Sequence, residues 1–213
     1  MPRASETVAW GERDVLLPRM DPDALLSLMG ARRGHFAFES GYHGDLWLDL
    51  DRLFTAPAQL DGLLDELARR IAAVDPDVIC GPMTGGALVA FAVAARLEVG
   101  FRWTAREHVP SGQGLFPYRY HLDMAGIELA HQRVVVVDDV VNAGSATRET
   151  LRLLREQNAT PVAMAALLTL GPAPKALARD EGLELFTLAN VASPLWAPDH
   201  CPLCAAGEPL AAD

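Results

Sequence analysis

Long apolar stretches, lysine and cysteine are all scarce in this chain of 213 residues. No apolar run approaches the roughly 20 residues needed to span a bilayer, so we expect no membrane association. The first residues have no continuous apolar core and are not expected to form a secretory signal. Three cysteines in a chain without such a signal indicate a reducing cytoplasm. Acidic residues outnumber basic ones by 28 to 18, and the net charge of -10 argues against non-specific nucleic-acid binding.

The most informative segment is Arg133 to Thr150, which reads RVVVVDDVVNAGSATRET. The run Val134 to Val137 shows no alternation and indicates a strand buried on both faces. Asp138 and Asp139 then lie at its carboxyl end, where open α/β sheets bind ligands. The small and hydroxyl residues of 142–147 lead into a helix, whose outward N–H groups form an anion cradle. Carboxylates beside such a cradle suit a ribose 5-phosphate, and the alternative is an ordinary turn that carries two acids.

A second strand ends in a glycine-rich turn at Asp77 to Val89, DVICGPMTGGALV. Glycines allow a ligand to approach the backbone closely, although an ordinary helix entry would look the same. The alternation of strands and helices predicts an α/β fold with a central parallel sheet. The expected strands are His35–Phe38, Leu46–Leu50, Val78–Cys80, Gly100–Thr104, Val134–Val137, Pro161–Leu170 and Leu183–Leu188. The expected helices are Asp21–Ala31, Pro57–Ala73, Gly86–Leu97, Ser145–Gln157 and a short one from Pro174.

The segment VVVVDDVVNAGSA resembles the phosphoribosyl-pyrophosphate (PRPP) motif of type I phosphoribosyltransferases, and the two turns occur in the order of that family. The resemblance implies the type I phosphoribosyltransferase fold, a central parallel sheet flanked by helices with a small hood from the N- and C-terminal segments. It also implies PRPP and a nitrogenous base as substrates, Mg²⁺ as cofactor, and a cytoplasmic homodimer.

The resemblance implies a role for each matching residue. Asp138 and Asp139 are the expected catalytic acids, which hold the ribose hydroxyls or the waters of Mg²⁺. Arg106 is expected to bind pyrophosphate, and His108 to supply a proton. The expected 5-phosphate loop is Asn142, Ala143, Gly144, Ser145, Ala146 and Thr147. The expected pyrophosphate turn is Met83, Thr84, Gly85 and Gly86.

Two further segments resemble orotate phosphoribosyltransferase. The stretch from Gly34-His35-Phe36 through Ser40-Gly41 to Asp49 is similar to its hood strands. The tail from Trp196 to Leu210 is similar to the WxPxxCPLCxxGxPL ending of one bacterial branch. The implied division is an extension at 1–20 and one domain at 21–213. Within that domain we expect a hood at about 21–56 and 189–213, a core at about 57–188 and a mobile loop at about 105–124.

The base pocket departs from the orotate pattern. The family's lysine before the hood Ser-Gly is Glu39 here, and the stretch 170–173 carries no arginine for the orotate carboxylate. The usual threonine of the PRPP loop is Asn142. Trp47 on the hood strand either packs in the hood or stacks on the base. We therefore assign Glu39, Trp47 and Asn142 to the base pocket and doubt that orotate is the substrate.

The expected loop also departs from the family, because it contains no lysine. Arg106 to Met124 has no clear period, as is common for a functional or mobile loop. It offers arginines and histidines, whereas the only lysine of the chain is Lys175. Arginine can bind leaving phosphates but is a poor proton donor.

The tail motif His200-Cys201-Pro-Leu-Cys204 has three interpretations. It offers at most three ligands to a metal, whereas a closed zinc site needs four, and Cys80 is a poor candidate for the fourth. A redox pair would be expected to open a helix after a strand. A structural turn is the third interpretation.

Two functions remain open at this point. The first is an enzyme, which is either a phosphoribosyltransferase for a base other than orotate or a weakened orotate enzyme. The second is a non-catalytic protein that senses PRPP or nucleotides. The complete acid pair, both anion turns and a long arginine-bearing loop favour the enzyme, since a sensor has less use for a lid.

Overall fold

The computed structural model describes residues 21–38, 41–108, 118–123 and 128–211. The strands in this part of the chain are β1 (Arg32–Ala37), β2 (His43–Trp47), β3 (Val78–Pro82), β4 (Gly100–His108), β5 (Tyr118–Leu122), β6 (Arg133–Val141), β7 (Thr160–Leu170), β8 (Glu184–Val191) and β9 (Leu195–Trp196). The α-helices are α1 (Pro22–Leu28), α2 (Asp61–Ile71), α3 (Gly85–Leu97), α4 (Ser145–Glu156), α5 (Ala173–Glu181) and α6 (Pro202–Ala205). Short 3-10 helices span Leu50–Phe54, Pro57–Leu60, Ala72–Val74 and Pro198–His200.

The central sheet has the strand order β5-β4-β3-β6-β7-β8. Neighbours from β4 to β8 pair in parallel, and β5 pairs with β4 in the antiparallel sense at the edge. The four valines of 134–137 are at most 1% exposed, as expected for a strand covered on both faces. The predicted α/β class is confirmed, with one antiparallel strand that the sequence did not indicate.

Two layers of helices cover the sheet. Val135 and Val137 pack with residues of α2 and α3, whereas Val134 and Val136 pack with residues of α4 and α5. The alternation along β6 therefore separates the two hydrophobic cores. The leucine pattern predicted for the second helix is buried as expected, with Leu67 fully buried at its centre.

The chain leaves β3 toward β4 on one side and β6 toward β7 on the other. The helices that make these connections, α3 and α4, accordingly lie on opposite faces of the sheet. The carboxyl ends of β3 and β6 thus flank a topological switch point, where open α/β sheets form their ligand crevice.

A second sheet of three strands has the order β1-β2-β9. It joins segments from both ends of the described chain, and we call it the hood sheet. His43 of β2 pairs with Trp196 of β9, and the Ala211 N–H donates to the carbonyl of His35 at 2.7 Å. The division of the chain into extension, hood and core remains a prediction.

Two predictions about local structure were wrong. The second hood strand covers 43–47 instead of 46–50, because Leu50 begins a 3-10 helix. The segment expected as a loop is partly a hairpin, since β4 extends to residue 108 and pairs with β5. Exposed strand ends that carry charged side chains lack a clear hydrophobic period. The residues of the expected loop at 109–117 and 124–127 lie outside the described part.

No helix among the described residues has both the length and the apolar character needed to cross a bilayer.

Candidate active site

Asp138 and Asp139 lie near the end of β6, at the switch point of the sheet. They are only 9% and 7% exposed. The Asp139 N–H donates to Asp138 Oδ1 at 3.0 Å, and the Val140 N–H donates to Asp139 Oδ1 at 2.8 Å. These local bonds fix both carboxylates against their own backbone.

The electrostatics of this pair are unfavourable for two negative charges. Burial raises the pKa of Asp138 well above its ordinary value, and the neighbouring charge of Asp139 raises it further. A cation beside the pair would relieve both effects, because it would stabilise the charged form. Carboxylate oxygens are also the ligand type that Mg²⁺ prefers.

The first glycine-rich turn lies directly against these acids. A Cβ atom built on Gly85 would overlap the Asp139 carboxylate, and one built on Gly86 would overlap Asp138 Oδ1. Gly81 also has no space for a side chain, because a Cβ atom built on it would overlap the Gly86 carbonyl. Glycine is therefore required here so that the start of α3 can approach the end of β6.

The rest of the turn is open to solvent. Met83 is 51% exposed, its N–H donates to the Thr104 carbonyl at 2.8 Å, and the Met83–Thr84 peptide is cis. Thr84 precedes α3 without a side-chain cap, and the first turn of that helix carries no acid of its own. The positive end of the α3 dipole consequently faces Asp138 and Asp139.

The second turn connects β6 to α4. Gly144 has a φ of +78°, and a Cβ at this position would lie 2.7 Å from Leu177 Cδ2. No side chain caps α4, and its first turn carries no acid. Asn142 and Ala146 are half-buried, whereas Ala143 and Ser145 are exposed. The N–H groups that open this helix therefore have no side-chain cap from the helix's own start.

Thr147 occupies the third position of α4 and is 2% exposed. Its Oγ1 is one of three buried side-chain polar atoms in the described part of the chain that lack a hydrogen-bond partner. A buried hydroxyl without a partner costs stability, so a bound water or ligand that paired with it would be stabilising. An anion held by the α4 N-terminus would be such a partner.

Arg106 and His108 lie on the part of β4 that extends beyond the turn after β3. Arg106 is exposed and pairs in register with Tyr120, and His108 is the last residue of β4. Two residues before Arg106, Thr104 packs against α4 through a hydrogen bond of 2.8 Å to Thr150 Oγ1. Because side chains alternate along a strand, Arg106 belongs to the α4 face of the sheet. The side chain of His108 lies outside the described part of the chain.

The described contacts of Trp47, which is expected in the base pocket, are with residues of the hood. Trp47 stacks on Phe38 with ring centroids 6.0 Å apart, and it also contacts Phe36 and the Arg32 guanidinium. These contacts belong to the hood sheet and agree with the packing alternative for Trp47. Asn142 lies at the end of β6, and Glu39 lies outside the described residues.

Sequence reasoning missed two histidines of the hood. His35 and His43 lie beside Cys201 and Cys204 of the tail. The sequence did contain a signal for their proximity, because the two expected hood strands form a hairpin whose short turn brings the two histidines close together. The tail motif was interpreted with its neighbour His200 instead, which is exposed.

Two buried carboxylates beside two helix-opening turns place this chain in the class of open α/β proteins, whose ligand crevice lies at the topological switch point. The model of the phosphoribosyl transferase domain matches residues 49–192. An orotate phosphoribosyltransferase of a Nitratiruptor species is 28% identical over 204 residues, which cover 90% of this chain and 96% of the relative.

Solved structures show the same similarity. An orotate phosphoribosyltransferase from Aeropyrum pernix has a TM-score of 0.63 at 25% identity, over 79% of this chain and 92% of that chain. An adenine phosphoribosyltransferase from Thermoanaerobacter pseudethanolicus shares the fold, with a TM-score of 0.64 at 18% identity over 80% and 100% of the two chains. The chain belongs to the phosphoribosyl transferase family and is a phosphoribosyltransferase similar to the orotate enzymes.

Proposed function

We propose that the enzyme transfers ribose 5-phosphate from PRPP to a nitrogenous base with the help of Mg²⁺, in pyrimidine or related nucleotide metabolism. The observation that carries this proposal is the buried pair Asp138 and Asp139 at the switch point, between the two turns that open α3 and α4. In the reaction the C1–O bond to pyrophosphate breaks, a C1–N bond to the base forms, and the proton of that base nitrogen passes to the departing pyrophosphate or to solvent.

Asp138 and Asp139 would hold Mg²⁺ through its waters and bind the ribose hydroxyls. Their fit to a divalent cation is supported by the raised pKa of Asp138, because a cation compensates the burial and repulsion that cause the shift. The bound ion would supply neutralising charge to the pyrophosphate. The two carboxylates would also stabilise positive charge that develops on the sugar as the C1–O bond breaks.

The loop Asn142 to Thr147 would bind the 5-phosphate. Support comes from the uncapped N-terminus of α4 and from the Thr147 hydroxyl, which has no partner among the described residues. Met83, Thr84, Gly85, Gly86 and Arg106 would bind the pyrophosphate. Arg106 suits this role because a guanidinium binds phosphate oxygens through two parallel hydrogen bonds.

The acceptor would be a neutral or cationic ring, with orotate a poor substrate. The turn after β7, Gly171 to Ala173, has no cation, and Glu39 replaces the lysine expected for an orotate site. The Asn190 side chain donates to the carbonyl of Gly171 at 3.1 Å, so this turn is held from within the protein. An acidic group beside a carboxylate substrate would oppose binding.

The test is pyrophosphate release from PRPP with a panel of orotate, uracil, adenine and hypoxanthine, with and without Mg²⁺. We expect turnover with a neutral base only when Mg²⁺ is present, and at least a tenfold lower kcat/KM with orotate. Asp139→Asn serves as the variant with strongly reduced activity, and Asp180→Asn, an exposed acid on α5, as its matched control. Fastest turnover with orotate would refute the proposed acceptor but not the transfer reaction.

Glu39→Lys sharpens the same test. If residue 39 faces the base, as the family resemblance implies, a lysine there should raise kcat/KM for orotate about tenfold or more, because a positive charge would attract the orotate carboxylate. No change in the preference between orotate and uracil would show that residue 39 does not face the base.

A nucleotide sensor without catalysis is the second candidate. The observation that favours it is that Lys175, the only lysine of the chain, lies on α5 and not on the loop between β4 and β5. Calorimetry with PRPP separates the two candidates, because the sensor binds PRPP but releases no pyrophosphate with any base.

We also propose a cytoplasmic homodimer. Support for the dimer comes from exposed apolar side chains on α3, Leu88 at 46% and Phe91 at 60%. Phe91 contacts Phe101 of β4, so the apolar surface continues onto the sheet. Light scattering of the wild-type chain and of Phe91→Asp would test it, since a charged side chain in the contact should yield monomers.

A further inference from the structure

Four potential metal ligands meet where the C-terminal tail contacts the hood sheet. They are His35 of β1, His43 of β2, Cys201 before α6 and Cys204 within it. One ligand atom from each residue lies within 4.8 Å of all the others. We call this group the hood cluster.

The spacing within the hood cluster fits tetrahedral zinc. The His35 Nε2 atom lies 3.0 Å from His43 Nδ1, 3.5 Å from Cys201 Sγ and 3.6 Å from Cys204 Sγ. Cys204 Sγ lies 3.3 Å from His43 Nδ1. Zinc bonds of about 2.3 Å to sulfur and about 2.0–2.1 Å to nitrogen place tetrahedral ligand atoms roughly 3.3–3.8 Å apart. The distances agree to within a few tenths of an ångström.

A hydrogen bond behind His35 orients its ring toward the cluster. Its Nδ1 lies 2.8 Å from the Glu208 carbonyl oxygen. A carbonyl only accepts, so Nδ1 carries the proton and the lone pair of Nε2 is directed at the other ligands. This arrangement of a carbonyl behind a ligating histidine is typical of metal sites.

The backbone explains why the four residues converge. The β1–β2 register shifts between Arg33 and Phe36, and this irregularity contains His35. Both His35 and Phe36 are buried despite being adjacent. In the tail, Cys201 immediately precedes α6 and Cys204 is its third residue, so a helical turn brings the two sulfurs to one side.

The chemistry of the ligands selects the ion. Two thiols and two imidazoles suit zinc, whereas Mg²⁺ and Ca²⁺ prefer oxygen. Four protein ligands leave no open coordination position, which is the composition of a structural site. Cys201 is 3% exposed and Cys204 is exposed, so the ion would be buried on one side and reachable from the other.

We infer that His35, His43, Cys201 and Cys204 bind a structural zinc ion that fastens the C-terminal tail to the hood sheet. The ion adds to the backbone bond between Ala211 and His35, which already ties these segments together. It is distinct from the ion proposed at Asp138 and Asp139, and neither proposal depends on the other.

The first experiment measures the zinc content of the full chain, purified without chelators. We expect about one zinc per chain by elemental mass spectrometry, and less than about a tenth of that in Cys204→Ser and His43→Gln. The matched controls are His200→Ala and Cys80→Ala, which should retain the ion because neither residue belongs to the cluster. Zinc at the wild-type level in Cys204→Ser would overturn the inference.

The second experiment uses only the wild-type chain, because a cluster variant could fail to fold. After removal of zinc, added Co²⁺ should produce the visible absorption of a tetrahedral cobalt thiolate, and Zn²⁺ should abolish it. Removal of zinc should lower the melting temperature, and Zn²⁺ but not Mg²⁺ should restore it. A Cys201–Cys204 disulfide in the freshly purified chain, or Co²⁺ binding without a thiolate band, would refute the site.

Discussion

The two helix-opening turns at the sheet edge share a pattern but differ in what faces them. At α3 the chain itself supplies the negative charge, because Gly85 and Gly86 lie against Asp139 and Asp138. At α4 the N-terminus has no acid or cap, and the Thr147 hydroxyl finds no partner among the described residues. A helix N-terminus therefore indicates a ligand site more strongly where the protein provides no acceptor for its free N–H groups.

This difference suggests distinct tasks for the glycines. Gly85 and Gly86, which begin α3, allow that helix to approach the end of β6, whereas Gly144 provides a backbone conformation that other residues rarely adopt. We expect the first turn to set the position of the acids and the second to set the affinity for the phosphate.

The largest effect is expected for Asp139→Asn. Loss of the charge should lower kcat/KM for PRPP about 10²–10³-fold, or roughly 3–4 kcal/mol, because the developing positive charge loses its stabilisation. Steady-state kinetics would measure this, and circular dichroism would verify the fold. A decrease below tenfold would mean that Asp139 does not act on the sugar.

Gly85→Ala should have the next largest effect. The added Cβ would displace the Asp139 carboxylate, so we expect kcat/KM to fall about 100-fold, or roughly 2.7 kcal/mol. Gly62→Ala on α2 is the matched control, because its Cβ would meet no atom within 4 Å. Equal activity of the two variants would contradict the tight contact between α3 and β6.

Gly144→Ala should reduce the free energy of unfolding by about 2–3 kcal/mol, since a positive φ and the contact with Leu177 both oppose alanine. Gly182→Ala has a similar φ of +69° but open space around its Cβ, and should lose only about 1 kcal/mol. Urea denaturation would measure both. Equal losses would show that Leu177 yields to the added methyl group.

Thr147→Val should raise the KM for PRPP about tenfold, or roughly 1.4 kcal/mol, without lowering stability, because it removes a hydroxyl that the protein leaves unpaired. Thr150→Val should instead lower stability and leave the KM for PRPP unchanged. It leaves Thr104 without its buried partner, so we expect a loss of about 1–2 kcal/mol in stability and an unchanged KM. An unchanged KM for PRPP in Thr147→Val would show that the Thr147 hydroxyl does not bind the phosphate.

The smallest effect concerns the pH dependence of stability. The pKa of Asp138 is raised in the folded state, so the folded chain binds more protons than the unfolded one above the ordinary carboxyl pKa of about 4. Stability is consequently lost as the pH rises from about 4 toward the raised pKa. Asp138→Asn should remove this loss, and its advantage in urea denaturation should grow with pH. A constant difference between pH 4 and 7 would contradict the shift.

The sheet edge could be predicted because its signals are local. Val134 to Val137, the two acids and the turn after them are consecutive, so one short segment carries the strand, the charge and the helix entry. The same holds for β3, its glycines and α3. The α/β class and the family followed from these segments, and both are confirmed.

The hood could be predicted only in outline, because its contacts join distant residues. His35 and Cys201 are 166 positions apart in the chain, and the hydrophobic periodicity of a short segment cannot predict a contact over that separation. The sequence also gives no signal for the pairing of β2 with β9, because β9 has only two residues and is too short to show hydrophobic alternation. The extension of β4 and the strand β5 were missed because hairpin ends at a sheet edge carry charged side chains.

The closure of the hood by the tail has a consequence for synthesis of the protein. A ribosome synthesises every strand of the central sheet before β9, α6 and Ala211, so the hood sheet is the last sheet whose strands are all present. A fusion partner attached close behind Ala211 would therefore lie next to the hood, and we expect it to disturb the hood more than the edge of the central sheet.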